Sequence, residues 1–204
     1  MVIRVILALL AGYLLGSINT SLVIGKFYKV DVRQHGSGNA GMTNTLRTLG
    51  KFPAMLVIVG DILKGILACV IGNIILSDTA ELYDSIGLMI GGLGSILGHN
   101  WPVYFGFKGG KGVLTTFAVI MMMGPLIGLI LLSIFILIVL ITRYVSLGSM
   151  IAAVLFPAVA FLMGNEIIFI IFAGVIGFLV IVRHKSNIER LINGEESKLG
   201  AKKA

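Results

Sequence analysis

Apolar residues in this chain fall in long uninterrupted runs, not in the alternating or three-to-four spacing of half-buried strands and surface helices. The runs cover 3–24, 52–76, 86–98, 113–123, 126–142, 147–163 and 167–182. The first would make about 33 Å of helix, enough to cross a bilayer core of about 30 Å. Two are short, 86–98 at about 20 Å and 113–123 at about 17 Å, and suit half-helices or spans thinned against a water-filled cavity. Gly124-Pro125 parts the fourth run from the fifth, because proline does not continue a helical hydrogen-bond ladder. The pattern predicts an all-α integral membrane protein: a seven-transmembrane-helix bundle with some short spans, forming one domain over 1–204. Arg4 ahead of the first run invites a cleaved-leader reading. No small-residue cleavage motif follows, however, and Lys26 and Lys29 stand at the far end, so the run reads as a retained span.

Composition agrees. Only 12% of residues are charged, against about 25% in a typical soluble domain, and mean hydropathy is +1.05. A soluble domain, a disordered chain and a nucleic-acid binder are excluded, although the formal charge is +7. The single cysteine, Cys69, lies inside the second run, which excludes a disulfide framework and a cysteine-based zinc site.

Charge sets the predicted orientation. Fourteen of the sixteen Lys and Arg fall in four segments: 25–51, 100–112, the junction at Arg143, and the tail 183–204. The intervening segments carry Asp78, Glu81 and Asp84, then no charge, then Glu166. The positive-inside rule puts the N-terminus outside and the four basic segments and the C-terminus in the cytoplasm. Fusing 113–142 into one span would export the tail and its six cations, so seven crossings are expected. No repeat of fixed period is present, which argues against a transporter built from repeated halves.

The polar residues cluster in those basic segments. Segment 36–47, GSGNAGMTNTLR, sets Ser37, Asn39, Thr43, Asn44 and Arg47 among three glycines. Glycines allow successive backbone N–H groups to converge on an anion, and Arg47 adds a bidentate fork for phosphate. Gly36, Gly38 and Gly41 also match the dinucleotide fingerprint, but that motif requires a preceding strand, and an apolar helical run precedes it here. In 98–112, GHNWPVYFGFKGGKG, Lys108 and Lys111 bracket Gly109-Gly110 just before a short helix. It is not a Walker A loop, since Gly112 follows Lys111. Segment 143–149, RYVSLGS, offers Arg143 and Ser146, although a serine helix cap accounts for Ser146 equally well. In the tail, Ile188, Leu191 and Ile192 mark a short interfacial helix, and His184 and Asn187 share another face of it.

Asp61 and Lys64 stand inside the second run. Each would cost about 2.5–3.5 kcal/mol if isolated at a span centre, so an i, i+3 pair is expected. No acidic pair has metal-binding spacing in the basic segments, and no G-x-S-x-G elbow is present. His35, His99 and His184 have no Asp beside them in sequence, so no Ser-His-Asp triad is legible.

These four segments in this order, with DILKG at 61–65, resemble the bacterial PlsY family of membrane acyl-phosphate:glycerol-3-phosphate acyltransferases, over nearly the whole chain to about Lys198. Met42 and Leu114 stand where smaller residues are expected. The resemblance implies acyl transfer from acyl phosphate to the 1-hydroxyl of sn-glycerol 3-phosphate. The products would be lysophosphatidic acid and phosphate, in the first step of phospholipid synthesis, without metal, coenzyme A or carrier protein. It assigns catalysis to Ser37, Arg47, Lys108 and His184. Substrate binding falls to Gly36, Gly38, Asn39, Thr43, Asn44, His99, Gly109, Gly110, Lys111, Ser146 and Asn187. Either glycine-rich segment suits either substrate's phosphate. A phosphate oxygen of the donor is the expected proton acceptor, with His184 as its rival. Expected partners are the two substrates and membrane lipids, with no nucleic acid and no obligatory protein partner. The expected site is the cytoplasmic face of the bacterial inner membrane, and no cofactor is expected. An organophosphate transporter or channel would instead place polar residues at the midplane of several spans, where Asp61, Lys64 and Asn73 are nearly the only candidates, all on one helix. A non-catalytic lipid scaffold leaves the glycine-rich segments unexplained.

Overall fold

In a computed structural model, residues 1–76 and 85–200 are described. They form ten α-helices with two single-turn 3₁₀ segments at Val32–Gln34 and Val103–Phe105, and no strand among the described residues. The helices are α1 (Val2–Ser17), α2 (Thr20–Phe27), α3 (Met42–Thr48), α4 (Lys51–Leu76), α5 (Ser85–Asn100), α6 (Val113–Met123), α7 (Pro125–Thr142), α8 (Val145–Leu162), α9 (Ile167–Arg183) and α10 (Lys185–Ile192). Each predicted apolar run is helical over most of its length. Asp78, Glu81, Asp84, Lys202 and Lys203, used above for orientation, lie outside the described residues.

Four segments are long and apolar enough to cross a bilayer: Val2–Phe27, Lys51–Leu76, Pro125–Thr142 and Val145–Leu162. A fifth arises if α9 and α10, bent by 58°, count together. The helix stops at Met123 and restarts at Pro125, with Gly124 at a non-helical φ of −151° and ψ of 80°. The first run is not one continuous helix. It breaks at Ile18-Asn19, where Ile18 caps α1 and the Asn19 side chain accepts from the Leu22 N–H to start α2.

The chain divides into two compact units, 1–123 and 124–204. The first is centred on α5, against which α1 and α4 pack most extensively. A Cβ on Gly12 would strike the Gly91 carbonyl oxygen, one on Gly16 that of Ser95, and one on Gly72 that of Gly87. Small residues bring these backbones into direct contact, the usual means of helix association in lipid, where burial of apolar surface gives no drive. The distribution of polarity is the reverse of a soluble domain: Ile6, Leu10, Leu14, Met55, Val59 and Leu63 face outward, while Ser17, Asn19, Ser21, Asp61 and Lys64 are buried.

In the second unit α8 packs against α7 and α9. Phe156 and Phe169 meet edge to face at 5.8 Å. The tail departs from a free basic extension. After the Gly194 turn it folds back, with the Leu199 N–H donating to the Arg143 carbonyl at 2.7 Å and Arg143 Nη2 donating to the Leu199 carbonyl at 2.8 Å.

Candidate functional site

In the first unit the two glycine-rich segments meet. Segment 36–47 is a loop only as far as Gly41, because α3 begins at Met42 and carries Thr43, Asn44 and Arg47 on a helix. Asn44, buried at 1% exposure, organises that loop. Its Nδ2 donates to the carbonyls of Val32 (2.7 Å) and His35 (3.0 Å), and its Oδ1 accepts the Ser37 N–H at 2.9 Å. The Ser37 amide is therefore spent on Asn44, which corrects the picture of this stretch as a simple nest of backbone donors. The amide shapes the loop that presents the Ser37 hydroxyl. Gly36 has φ of +60°, and a Cβ there would strike Asn44 Oδ1, so only glycine fits. Arg47 is exposed and Asn39 half-buried beside the loop.

Segment 98–112 lies against this loop through Gly110. Its N–H donates to the His99 carbonyl at 3.0 Å, and a Cβ on it would strike both the His99 Nε2 and the Ala40 carbonyl oxygen. Ala40 O also accepts from Asn19 Nδ2 at 3.3 Å. Arg33, which sequence reasoning left out of the site, clips the two segments together. Its Nη1 donates to the carbonyls of Phe105 (3.1 Å) and Lys108 (3.4 Å), while its Nε and Nη2 grip Asp31. That side-chain hydrogen bond holds the Asp31 carboxyl below the usual aspartate range, outweighing the opposing effect of partial burial, and correspondingly raises Arg33. The Asp-x-Arg spacing at 31–33 is the signal that would have found it. Lys108 is exposed and Lys111 half-buried on either side of Gly109-Gly110.

Beneath these loops the expected Asp61–Lys64 pair is formed, Nζ to Oδ1 at 2.9 Å. It has a third member. His99, 3% exposed, lies with Nδ1 2.9 Å from Lys64 Nζ and 3.6 Å from Asp61 Oδ1. No Asp stands beside His99 in sequence, but helix packing brings Asp61 to it from 38 positions away.

In the second unit, His184 stands at the junction of α9 and α10, 1% exposed, with Nδ1 2.7 Å from the Val180 carbonyl. A carbonyl only accepts, so Nδ1 carries a proton; in the neutral form of such a ring the lone pair lies on Nε2. Asn187, one turn on, is buried as well. Ser146 is not a helix cap, since α8 is capped at Tyr144. Its hydroxyl donates to Glu196 Oε1 at 2.7 Å, where Asn187 Nδ2 also donates at 2.7 Å, and Arg190 Nε reaches Oε2 at 2.8 Å. Burial pushes the Glu196 carboxyl up, but the hydrogen bonds from Ser146, Arg190 and Asn187 outweigh it and hold it below the usual glutamate value. Sequence reasoning missed Glu196 as one more charge in a solvated tail; the glycine turn at 194, returning the chain after a short helix, was the available signal.

No group of three or more His, Cys, Asp or Glu among the described residues is arranged to hold a metal ion. The cluster of the first unit carries cations and hydroxyls suited to a phosphate group, and that of the second, by itself, a serine, an asparagine and an imidazole.

The sequence profile of the glycerol-3-phosphate acyltransferase family matches residues 6–194. The glycerol-3-phosphate acyltransferase of Thermoanaerobacter pseudethanolicus is 42% identical over 198 residues, covering 97% of this chain and 96% of that protein. That of Halalkalibacterium halodurans is 44% identical over 202 residues, covering 97% and 96%. Among solved structures, PlsY (YgiH), an integral membrane glycerol 3-phosphate acyltransferase, superposes in its glycerol 3-phosphate form with a TM-score of 0.88 at 41% identity, covering 96% of each chain. Its lysophosphatidic acid form gives 0.85 at 40% identity, covering 96% of this chain and 95% of that one.

Proposed function

This chain belongs to the glycerol-3-phosphate acyltransferase family, and from that premise we propose that it acylates the 1-hydroxyl of sn-glycerol 3-phosphate, drawing the acyl group from an acyl phosphate and releasing lysophosphatidic acid and inorganic phosphate. The observation that carries the reading is the seating of the Lys108–Lys111 loop on the Ser37–Arg47 segment through Gly110, Ala40 and Arg33. It gathers hydroxyl and cation donors where a phosphate-bearing substrate needs them.

In this mechanism the glycerol hydroxyl oxygen attacks the acyl carbonyl carbon, and the carbon–oxygen bond to phosphate breaks. The proton passes to an oxygen of the departing phosphate. Ser37, Arg47, Lys108 and Lys111, with Ser146, bind and polarise the phosphate groups, and His184 and Asn187 serve the glycerol phosphate. Gly36, Gly38, Gly109 and Gly110 give the loops their course. Asn39, Thr43 and His99 line them, and Asn44 acts by shaping them. Acyl phosphate is already an activated donor. The protein's task is therefore alignment, electrostatic stabilisation of the oxyanion and exclusion of water, without an acyl-enzyme and without a cofactor.

The chain is read as one acyltransferase domain over 1–204 in the bacterial inner membrane. Seven spans place the N-terminus outside and the four basic segments, with the active site and C-terminus, in the cytoplasm. The substrates and membrane lipids are its partners. The direct test is to supply purified protein in lipid with acyl phosphate and glycerol 3-phosphate and to score lysophosphatidic acid. Product requiring both substrates is expected, and its absence from folded protein overturns the reading.

A further inference from the structure

The reaction as derived makes no use of Asp61 and Lys64, yet these are buried charges that a membrane helix does not keep without a reason. Their surroundings are well defined. The Lys64 ammonium reaches Asp61 Oδ1 at 2.9 Å, the Ile18 carbonyl at 3.2 Å and His99 Nδ1 at 2.9 Å. Asp61 Oδ1 also accepts from Thr20 Oγ1 at 3.1 Å. Ile18 is the residue at which α1 breaks, so Lys64 satisfies a carbonyl at that break. An ammonium has three N–H groups and no acceptor, and here three acceptors surround it. His99 Nδ1 is one of them and must therefore present its lone pair, which leaves the ring proton on Nε2. The competing arrangement, Nδ1–H donated to Asp61, faces the longer separation of 3.6 Å. Nε2 is the nitrogen that abuts Gly110 and, across it, the Ala40 carbonyl, where the two cation-bearing segments touch.

We propose that Lys64 and Asp61 are positioning residues for the acyl transfer: they lock His99 in one orientation and one tautomer, with Nε2–H at the seam of Gly110 and Ala40, and so fix Lys108 and Lys111 relative to the Ser37–Arg47 segment. The inference rests on the acyltransferase reading, and it extends the machinery from the loops into the core of α4. A purely structural ion pair would predict something different. Replacing a buried pair by well-packed apolar residues of similar volume is often neutral or stabilising. A positioning pair so replaced leaves a stable protein that binds its substrate badly.

The test uses the full chain in lipid nanodiscs. The His99 signals of ¹⁵N-histidine-labelled protein are assigned by their loss in His99→Gln. Glycerol 3-phosphate affinity is measured calorimetrically, without turnover, beside KM and kcat. Wild-type protein should show Nδ1 unprotonated and Nε2 protonated. Lys64→Met should give mixed tautomers and weaken glycerol 3-phosphate at least tenfold in Kd and KM, with kcat changed less than threefold. The double variant Asp61→Leu/Lys64→Met should recover the wild-type melting midpoint while keeping the tenfold loss of affinity. Affinity that returns along with stability would make the pair structural only and overturn the proposal, as would Nδ1-protonated His99 in the wild type. Wild-type protein that makes no lysophosphatidic acid would instead sink the functional reading, and the histidine spectrum of that same sample still decides whether Lys64 sets the tautomer.

Discussion

Removing the Glu196 carboxylate should unlatch the tail of the second unit. The side chain accepts from Ser146 and Asn187 at 2.7 Å each and from Arg190 at 2.8 Å. Hydrogen bonds to a charged group are worth about 1.5–3 kcal/mol each. The Ser146 and Asn187 donors, both on buried residues, are entered at the low end because they share one oxygen. Arg190 is 29% exposed, so its pair contributes only about 0.5–1 kcal/mol after solvent screening. Glu196→Ala should therefore destabilise by about 3.5–4 kcal/mol, a drop on the order of 10 °C in the melting midpoint for a chain of this size. Arg190→Ala should lose no more than about 1 kcal/mol. The pH dependence has a definite sign. The folded carboxyl sits below its unfolded value of about 4.3, so its contribution is complete above that pH and is lost as pH falls through the folded value. Wild-type stability attributable to this group should be flat from about pH 5 upward, and Glu196→Gln should abolish the acid-side decline that it causes. Thermal unfolding of purified protein from pH 3.5 to 8 measures both. An unshifted midpoint in Glu196→Ala, or an identical acid limb in Glu196→Gln, would refute the reasoning.

Arg47→Ala and Lys108→Ala should each remove a charge-assisted phosphate contact of about 1.5–3 kcal/mol, lowering kcat/KM for glycerol 3-phosphate or acyl phosphate roughly tenfold to a hundredfold. Steady-state kinetics with each substrate varied in turn will show it, and near-normal constants in both variants would reduce these residues to membrane anchors. Reporter tags at Gln34, which is exposed, and at Lys203 should be accessible from the cytoplasm and one at Thr79 from outside. Activity should survive exhaustive chelation, and loss on EDTA with recovery on magnesium would require a metal role. Incubation with acyl phosphate alone followed by intact mass measurement should show no acyl adduct, whereas an adduct that discharges competently to glycerol 3-phosphate would establish a covalent route. Loss of turnover in a folded, substrate-binding His184→Gln variant would move the proton to the histidine whose Nδ1 is held on the Val180 carbonyl, leaving direct transfer intact.

The amino-acid sequence alone determined that the apolar runs are helical over most of their length, that the protein is an integral membrane protein, and which segments between the runs gather polar and basic residues. Each of these follows from local composition: an apolar run has no alternative to a hydrogen-bonded helix in a bilayer, and polar residues among glycines mark the segments where helices end. The Asp61–Lys64 pair was legible too, because an i, i+3 spacing on one helix is itself a distance. Tertiary structure decided the rest, for reasons that no local pattern encodes. His99 joins that pair only because glycine backbone contacts draw α1, α4 and α5 together. Ser37 gives up its amide because Asn44, seven residues on, turns back from a helix that begins earlier than the run of polar residues suggests. Arg33 clips loops 72 residues apart, and Glu196 gathers Ser146 from 50 residues away. A charge in sequence is only a valence. Its partner is chosen by the fold, where burial makes an unpaired charge intolerable and so forces each one to a specific neighbour.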